Sequence, residues 1–196
     1  MTIYTSGSGS LSAEQLTEYS GNVAAFFQRN NVRRAAVVCG KSPLVYTAAK
    51  ACDIAHVCFV PVDENLPEQR RSLITADADV TMFDGAEFPG KPGWTDIGSI
   101  AHINGEFHAL PEDYSAPAYR IYTSGTTGLP KGIEVTRGNL RNFMEWFRGI
   151  PAIADAEPHS VLNQAMFSFD LSVADLWYSI RENVRLTVME RNLFGD

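Results

Sequence analysis

The stretch "AAVVCGKSPLVYTAAKACDIAHVCFVPV", Ala35 to Val62, carries the reading on which the fold turns. It opens with a short apolar run and closes with another, Val57 to Val62. Apolar runs of that length, bounded by Gly and Pro, read as buried strands. Between them Ser42 suits an N-cap, and Pro43 suits the first helical position, where its fixed φ helps and its missing N–H costs nothing. The helix so opened, "PLVYTAAKACDIAH", is apolar nearly all round, which predicts a helix buried between layers. Strand, helix, strand in this order needs a crossover connection and therefore a parallel pair.

Upstream, "SAEQLTEYSGNVAAFFQRN" repeats apolar residues at Leu16, Tyr19, Val23, Phe26 and Phe27, a helical recurrence, with Ser12 and Gln15 spaced as a capping box. Downstream, Pro67 opens a short helix through "EQRRSLITA" before a strand at "VTMFD". This βαβαβ order predicts an α/β fold, a mostly parallel sheet flanked by helices. Gly85 to Pro117 is richer in Gly, Pro and His and reads as a long connection with a weak hairpin around Asn104 and Gly105. After it come a strand "AYRIYT", a strand "GIEVT", a helix from about Asn139 to Arg148, and a strand, helix and strand in "SVLNQAMF", "DLSVADLWYSI" and "VRLTVME", on which the sheet is expected to resume. The division that follows is residues 1–118, with a linker at about 85–118, and residues 119–196.

The 196 residues suffice for one sizeable domain, and 45% hydrophobic with 20% charged residues is ordinary globular composition. The longest strongly apolar run, Val57 to Val62, is far too short for a bilayer, so no membrane partner is expected. A net charge of −7 without basic runs argues against nucleic acid. The N-terminus lacks a basic start and an apolar core, which makes the cytoplasm the expected address. Cys39, Cys52 and Cys58 show no CxxC spacing and read as reduced core thiols. His56, His102, His108 and His159 show no metal-ligand spacing, and no metal ligand is assigned. Phe143, Trp146 and Phe147 space as one face of a helix and read as core.

Behind the strand "AYRIYT" stands "YTSGTTGLPKG", Tyr122 to Gly132. Glycine permits positive φ and keeps Cβ atoms out of a ligand's way, so backbone N–H groups can converge. The hydroxyls of Thr123, Ser124, Thr126 and Thr127 add donors, Gly125 and Gly128 add room, and Lys131 adds a mobile positive charge. Such a loop suits polyphosphate; an ordinary solvated loop is the other reading. GxxxxGK[ST] does not fit, because Pro130 precedes Lys131 and Gly132 follows it, and no GxGxxG opens a helix.

Tyr122 to Gly132 resembles throughout the loop [YF]-[ST]-S-G-[ST]-T-G-x-P-K-G of the adenylate-forming enzymes, the superfamily of peptide-synthetase adenylation domains, acyl-CoA synthetases and firefly luciferase. "IAHVCFVPVDENLPEQR" resembles that family's K-A-G-x-x-Y-V-P-[LIV]-D-P-x-x-P-x-x-R, a motif mainly of packing. Val60, Pro61, Asp63, Pro67 and Arg70 are retained, with Ile54 in place of lysine, His56 of glycine and Glu64 of proline. "NQAMFSFDLSVADLWYS" resembles the F-D-x-S motif of amino-acid-activating members, and especially of the ligases that load D-alanine onto a carrier protein.

The resemblance implies a carboxylate attacking the α-phosphate of ATP, with transfer of the acyl group to a phosphopantetheine thiol on a carrier protein or domain. Thr123 to Gly128 and Lys131 would hold the β- and γ-phosphates. Mg²⁺ is implied as a cofactor, with no ligand named. Asp170 matches the aspartate that binds the substrate's α-ammonium group, implying an amino acid; a cap for the following helix is its other reading. Ala174 would face the side-chain pocket. Activation of a carboxylic acid without an amine, as in acyl-CoA synthetases, and a non-catalytic half-domain joining a complementary C-terminal chain are the alternatives. The family's later motifs, with the promoting lysine of its C-terminal subdomain, do not lie before Asp196, so the chain is expected to be an N-terminal portion that binds ATP weakly and turns over little alone.

Overall fold

A computed structural model describes residues 2–6, 9–124, 130–156 and 158–189, with backbone alone for Thr2, Cys39 and Ser124. In chain order the elements are β1 (Thr2–Ser6), β2 (Gly9–Ser12), α1 (Ala13–Arg29), β3 (Arg34–Cys39), α2 (Pro43–Ala55), β4 (Cys58–Asp63), α3 (Glu68–Thr75), β5 (Val80–Phe83), β6 (Thr95–Asp96) and α4 (Ile97–Ala101). There follow β7 (Pro117–Ser124), β8 (Pro130–Thr136), α5 (Arg137–Arg148), α6 (Pro151–Ala154), β9 (Ser160–Asn163), α7 (Leu171–Glu182) and β10 (Arg185–Val188).

The local signals form as read. Ser12 and Gln15 close a reciprocal capping box on α1, and the Ser42 hydroxyl accepts the Val45 N–H at 3.2 Å at the start of α2. β3, β4 and β5 are parallel, in the order β5-β3-β4.

The expected single sheet is in fact two. The larger runs β6-β5-β3-β4-β7-β8 and the smaller β2-β1-β10-β9. β9 and β10 do not rejoin the first sheet, because β10 finds a parallel partner in β1, an N-terminal strand not anticipated from its polar "TIYTS". The pairs β1–β10 and β4–β7 both cross the division at 118/119, so the two portions share both sheets. The linker 85–118 contains β6 and α4, and the expected hairpin at Asn104 is absent among the described residues. Instead, buried Asn22 of α1 donates to the Ala101 carbonyl at 2.8 Å and accepts from the Gly105 N–H at 3.1 Å, fastening this segment to α1.

α2 touches strands of both sheets, and its Val45, Tyr46, Ala48, Ala49, Ala51 and Cys52 are buried, which is the predicted place between layers. On the far face of the larger sheet, Ile74 of α3 closes over Ala36, Val38, Val60 and Val62. Cys52 and Cys58 are buried free thiols, both with pKa raised chiefly by burial. Phe143 and Phe147 pack against the core as read, whereas Trp146 is 62% exposed. Among the described residues no helix is long and apolar enough to cross a membrane.

Candidate active site

The parallel strands β4 and β7 pair at Phe59 and Tyr119, and a cavity of about 590 Å³ is lined from both strands beyond that pair. Its walls are Pro61 and Asp63 from β4, Arg70 and Ile74 from α3, Tyr119, Ile121, Tyr122 and Thr123 from β7, Ile133 and Val135 from β8, and Ser168 to Asp170 before α7. The volume suits a small-molecule ligand, and the outer edge of strands is where open α/β sheets bind one.

β7 and β8 form an antiparallel hairpin in which Thr123 lies opposite Lys131 and Ser124 opposite Pro130. The register therefore brings together the loop's flanking hydroxyl and its lysine, both exposed. Gly125, Thr126, Thr127 and Gly128 lie outside the described residues, as does the side chain of Ser124. Gly132 has a packing reason of its own: a Cβ there would come within 2.8 Å of the Arg120 side chain and 3.1 Å of the Tyr122 ring. Arg120 in turn binds Glu134 at 2.7 Å and also Asp77, and Arg34 pairs with Asp77 at 2.9 Å. This network ties the loop-bearing hairpin to β3 and to the turn before β5.

Asp170 also lines the cavity, its Oδ1 accepting the Leu171 N–H at 2.9 Å as the cap of α7. One carboxylate oxygen can serve that cap while the other points to a ligand. The Asp170 charge is felt across the cavity, since the Tyr119 phenol has its pKa raised, chiefly by burial and further by this carboxylate. Ala174, one turn along α7, is half-buried and does not line the cavity. Thr123 and Asp170 thus share one cavity, with Lys131 at its hairpin side.

Sequence patterning gives Asp63 and Arg70 a packing role and does not single out Tyr119, Ser168 or Phe169, all of which line the cavity. The retained P-x-x-R spacing is the available signal for Arg70; the others meet only through tertiary contacts. Among the described residues no group of three or more His, Cys, Asp or Glu side chains is placed to hold a metal.

The profile of the AMP-binding enzyme family matches residues 1–194. The chain belongs to that family. The D-alanine–D-alanyl carrier protein ligase of Listeria monocytogenes is 29% identical over 202 residues, covering 95% of this chain and 39% of the ligase. A plipastatin synthase of Bacillus subtilis is 26% identical over 207 residues, covering 97% of this chain and 6% of the synthase polypeptide. Among solved structures, the o-succinylbenzoate CoA synthetase of Bacillus subtilis, in complex with its acyl-adenylate intermediate, superposes with a TM-score of 0.79 at 21% identity, over 99% of this chain and 53% of the synthetase. At that identity the likeness shows a shared fold. The chain spans less than two thirds of each of these proteins.

Proposed function

We propose that this chain supplies the phosphate loop and the start of the substrate pocket to an AMP-forming ligase that activates an amino acid. The amino acid carboxylate would attack the α-phosphate of ATP with loss of pyrophosphate, and the carrier protein's phosphopantetheine thiol would then take the aminoacyl group from the bound adenylate with loss of AMP. The observation that carries the reading is the cavity that has Thr123 of the loop on one wall and Asp170 on another. An anionic carboxylate must approach a polyanion, so cationic and N–H donors belong on the phosphate side and an anion for the α-ammonium group on the other. Thr123 with Lys131 answers the first requirement and Asp170 the second.

Ser124, Gly125, Thr126, Thr127 and Gly128 are assigned to the phosphates in the same proposal; Ala174, which does not line the cavity, is given no contact with the substrate. Mg²⁺ is commonly held by substrate phosphates and one or two carboxylates, and Asp63 is the lining carboxylate not assigned to the amine. Bound there, it would neutralise phosphate charge. D-alanine, the amino acid named for the ligase relative, is the first substrate to test.

The test is calorimetric titration with non-hydrolysable sulfamoyl analogues of D-alanyl-adenylate and of its counterpart lacking the amine. The chain should bind the amino analogue about tenfold or more tightly, and Asp170→Ala should abolish that preference, a charge-assisted bond being worth about 1.5–3 kcal/mol. Equal binding of both analogues by the unaltered chain would favour the reading without an amine, as in CoA synthetases.

A further inference from the structure

We propose that Arg70 is an anion anchor of the cavity, donating to a phosphoryl group of the bound nucleotide. This rests on the nucleotide reading of the loop given above. Arg70 lies in the first turn of α3, and its side chain lines the cavity together with Tyr122, Thr123 and Asp63. It is the sole cation among the described lining residues.

Its guanidinium has no structural employment among the described residues. Nε is buried without a hydrogen-bond partner, and no carboxylate of those residues lies within ion-pair distance. The two lining carboxylates are turned to their own backbone: Asp63 Oδ1 accepts the Asn65 N–H at 2.8 Å, and Asp170 Oδ1 the Leu171 N–H at 2.9 Å.

The next residue provides the contrast. Arg71 Nη1 donates to the carbonyls of Glu64 and Leu66 at 2.6 and 2.5 Å, and its guanidinium lies 5.3 Å from the Phe88 ring centre. Although Arg71 Nε also lacks a partner, the rest of that side chain is spent on holding the β4–α3 turn. Arg34, Arg120, Arg137 and Arg181 all meet carboxylates. A half-buried guanidinium with neither carboxylate nor carbonyl keeps its outer N–H groups for water or for an anion that displaces it, although Arg34 and Arg181 also leave Nε unpartnered.

The geometry names the anion. α3 begins just past the end of β4, and Thr123 sits at the end of the adjacent parallel strand β7, with Lys131 across the hairpin. A phosphoryl group at Thr123 would meet Lys131 from the hairpin and Arg70 from the helix. The planar fork of Arg fits two phosphoryl oxygens at once, which a lysine at this place would not do.

The experiment measures binding of inorganic tripolyphosphate, ATP and adenosine to the chain and to Arg70→Gln, Arg70→Lys, Arg71→Gln and Lys131→Ala, with circular dichroism as the check of folding. Arg70→Gln should weaken tripolyphosphate and ATP about tenfold or more and leave adenosine unchanged. Arg70→Lys should recover part of the loss, and Arg71→Gln should change melting but not tripolyphosphate affinity. Tripolyphosphate binding within twofold of the unaltered chain in folded Arg70→Gln, with Lys131→Ala still impaired, would overturn the role of Arg70 and leave the loop reading standing. No binding of tripolyphosphate or ATP by the unaltered chain would remove both.

Discussion

His56 ends α2 in the left-handed region, at φ 55° and ψ 36°, where the related motif carries glycine. A side chain there costs about 1 kcal/mol, because Cβ crowds the following carbonyl. Its imidazole lies 3.7 Å from Glu112, and its pKa is lowered by burial first and then by Arg137, against the pull of Glu112, Asp53 and Asp113. A lowered histidine means that the unfolded chain binds more protons just below the ordinary value of 6.5. This contribution to stability is whole above that pH and is lost as the pH falls through the window beneath it. His56→Gly should therefore stabilise the chain by up to about 1 kcal/mol at about pH 7 and remove this part of the slope just below pH 6.5. Urea denaturation across that range checks both; an unchanged slope would show that other groups carry it. The departure from glycine is plain in the sequence, but the left-handed backbone that gives it meaning is not.

Among the elements, helix α5 is held by its first residue. Arg137 is 5% exposed, donates to both oxygens of Glu112 at 2.8 and 3.2 Å, and reaches the carbonyl and carboxylate of Asp53 on α2 at 2.8 and 3.2 Å. Asp53 is also bound by Arg181 of α7 at 2.8 Å, so one aspartate joins three helices. The Tyr46 hydroxyl adds a buried 2.7 Å bond to Ser179 between α2 and α7, and burial pushes its phenol up to about 12. Removing Arg137 leaves Asp53 half-compensated in the interior, so Arg137→Ala should cost about 3 kcal/mol. Glu112 is 41% exposed, and Glu112→Gln should cost under about 1 kcal/mol. Comparable losses in denaturant titrations of the two variants would contradict this ranking. Helix α5 and its hydrophobic face are readable from spacing alone, yet the partners of Arg137 come from distant segments that no local pattern announces. Trp146 shows the converse: it shares the helical spacing of Phe143 and Phe147 but falls outside the buried stripe.

Across the molecule, the N-terminal hairpin closes the second sheet. Ile3, Tyr4 and Leu11 are buried, the Tyr4 and Tyr46 rings meet at 5.0 Å, and β10 relies on β1 as one of its two neighbours. Deleting residues 1–12 exposes that face of α2 and leaves β10 an edge strand. At about 1.5–3 kcal/mol for each large apolar side chain, the loss approaches the whole stability of a domain. The deleted chain should lack a cooperative melt and should exchange the β10 amides freely. A native-like melt with protected Leu186 and Thr187 amides would show that the smaller sheet stands without its hairpin.

What depends on neighbours along the chain is legible in its residues: the capped helices, the parallel βαβ core, the glycine loop after its strand and the family to which the loop belongs. Those signals work because helix caps, crossover handedness and a glycine-rich loop motif are written in short stretches of chain. Folding alone reveals that the strands divide into two sheets around α2, that Asp170 and Thr123 line one cavity, and that Arg70 lines it without a carboxylate partner among the described residues. Each of these depends on segments far apart in sequence meeting under close packing, where a side chain's role is set by what surrounds it rather than by what precedes it.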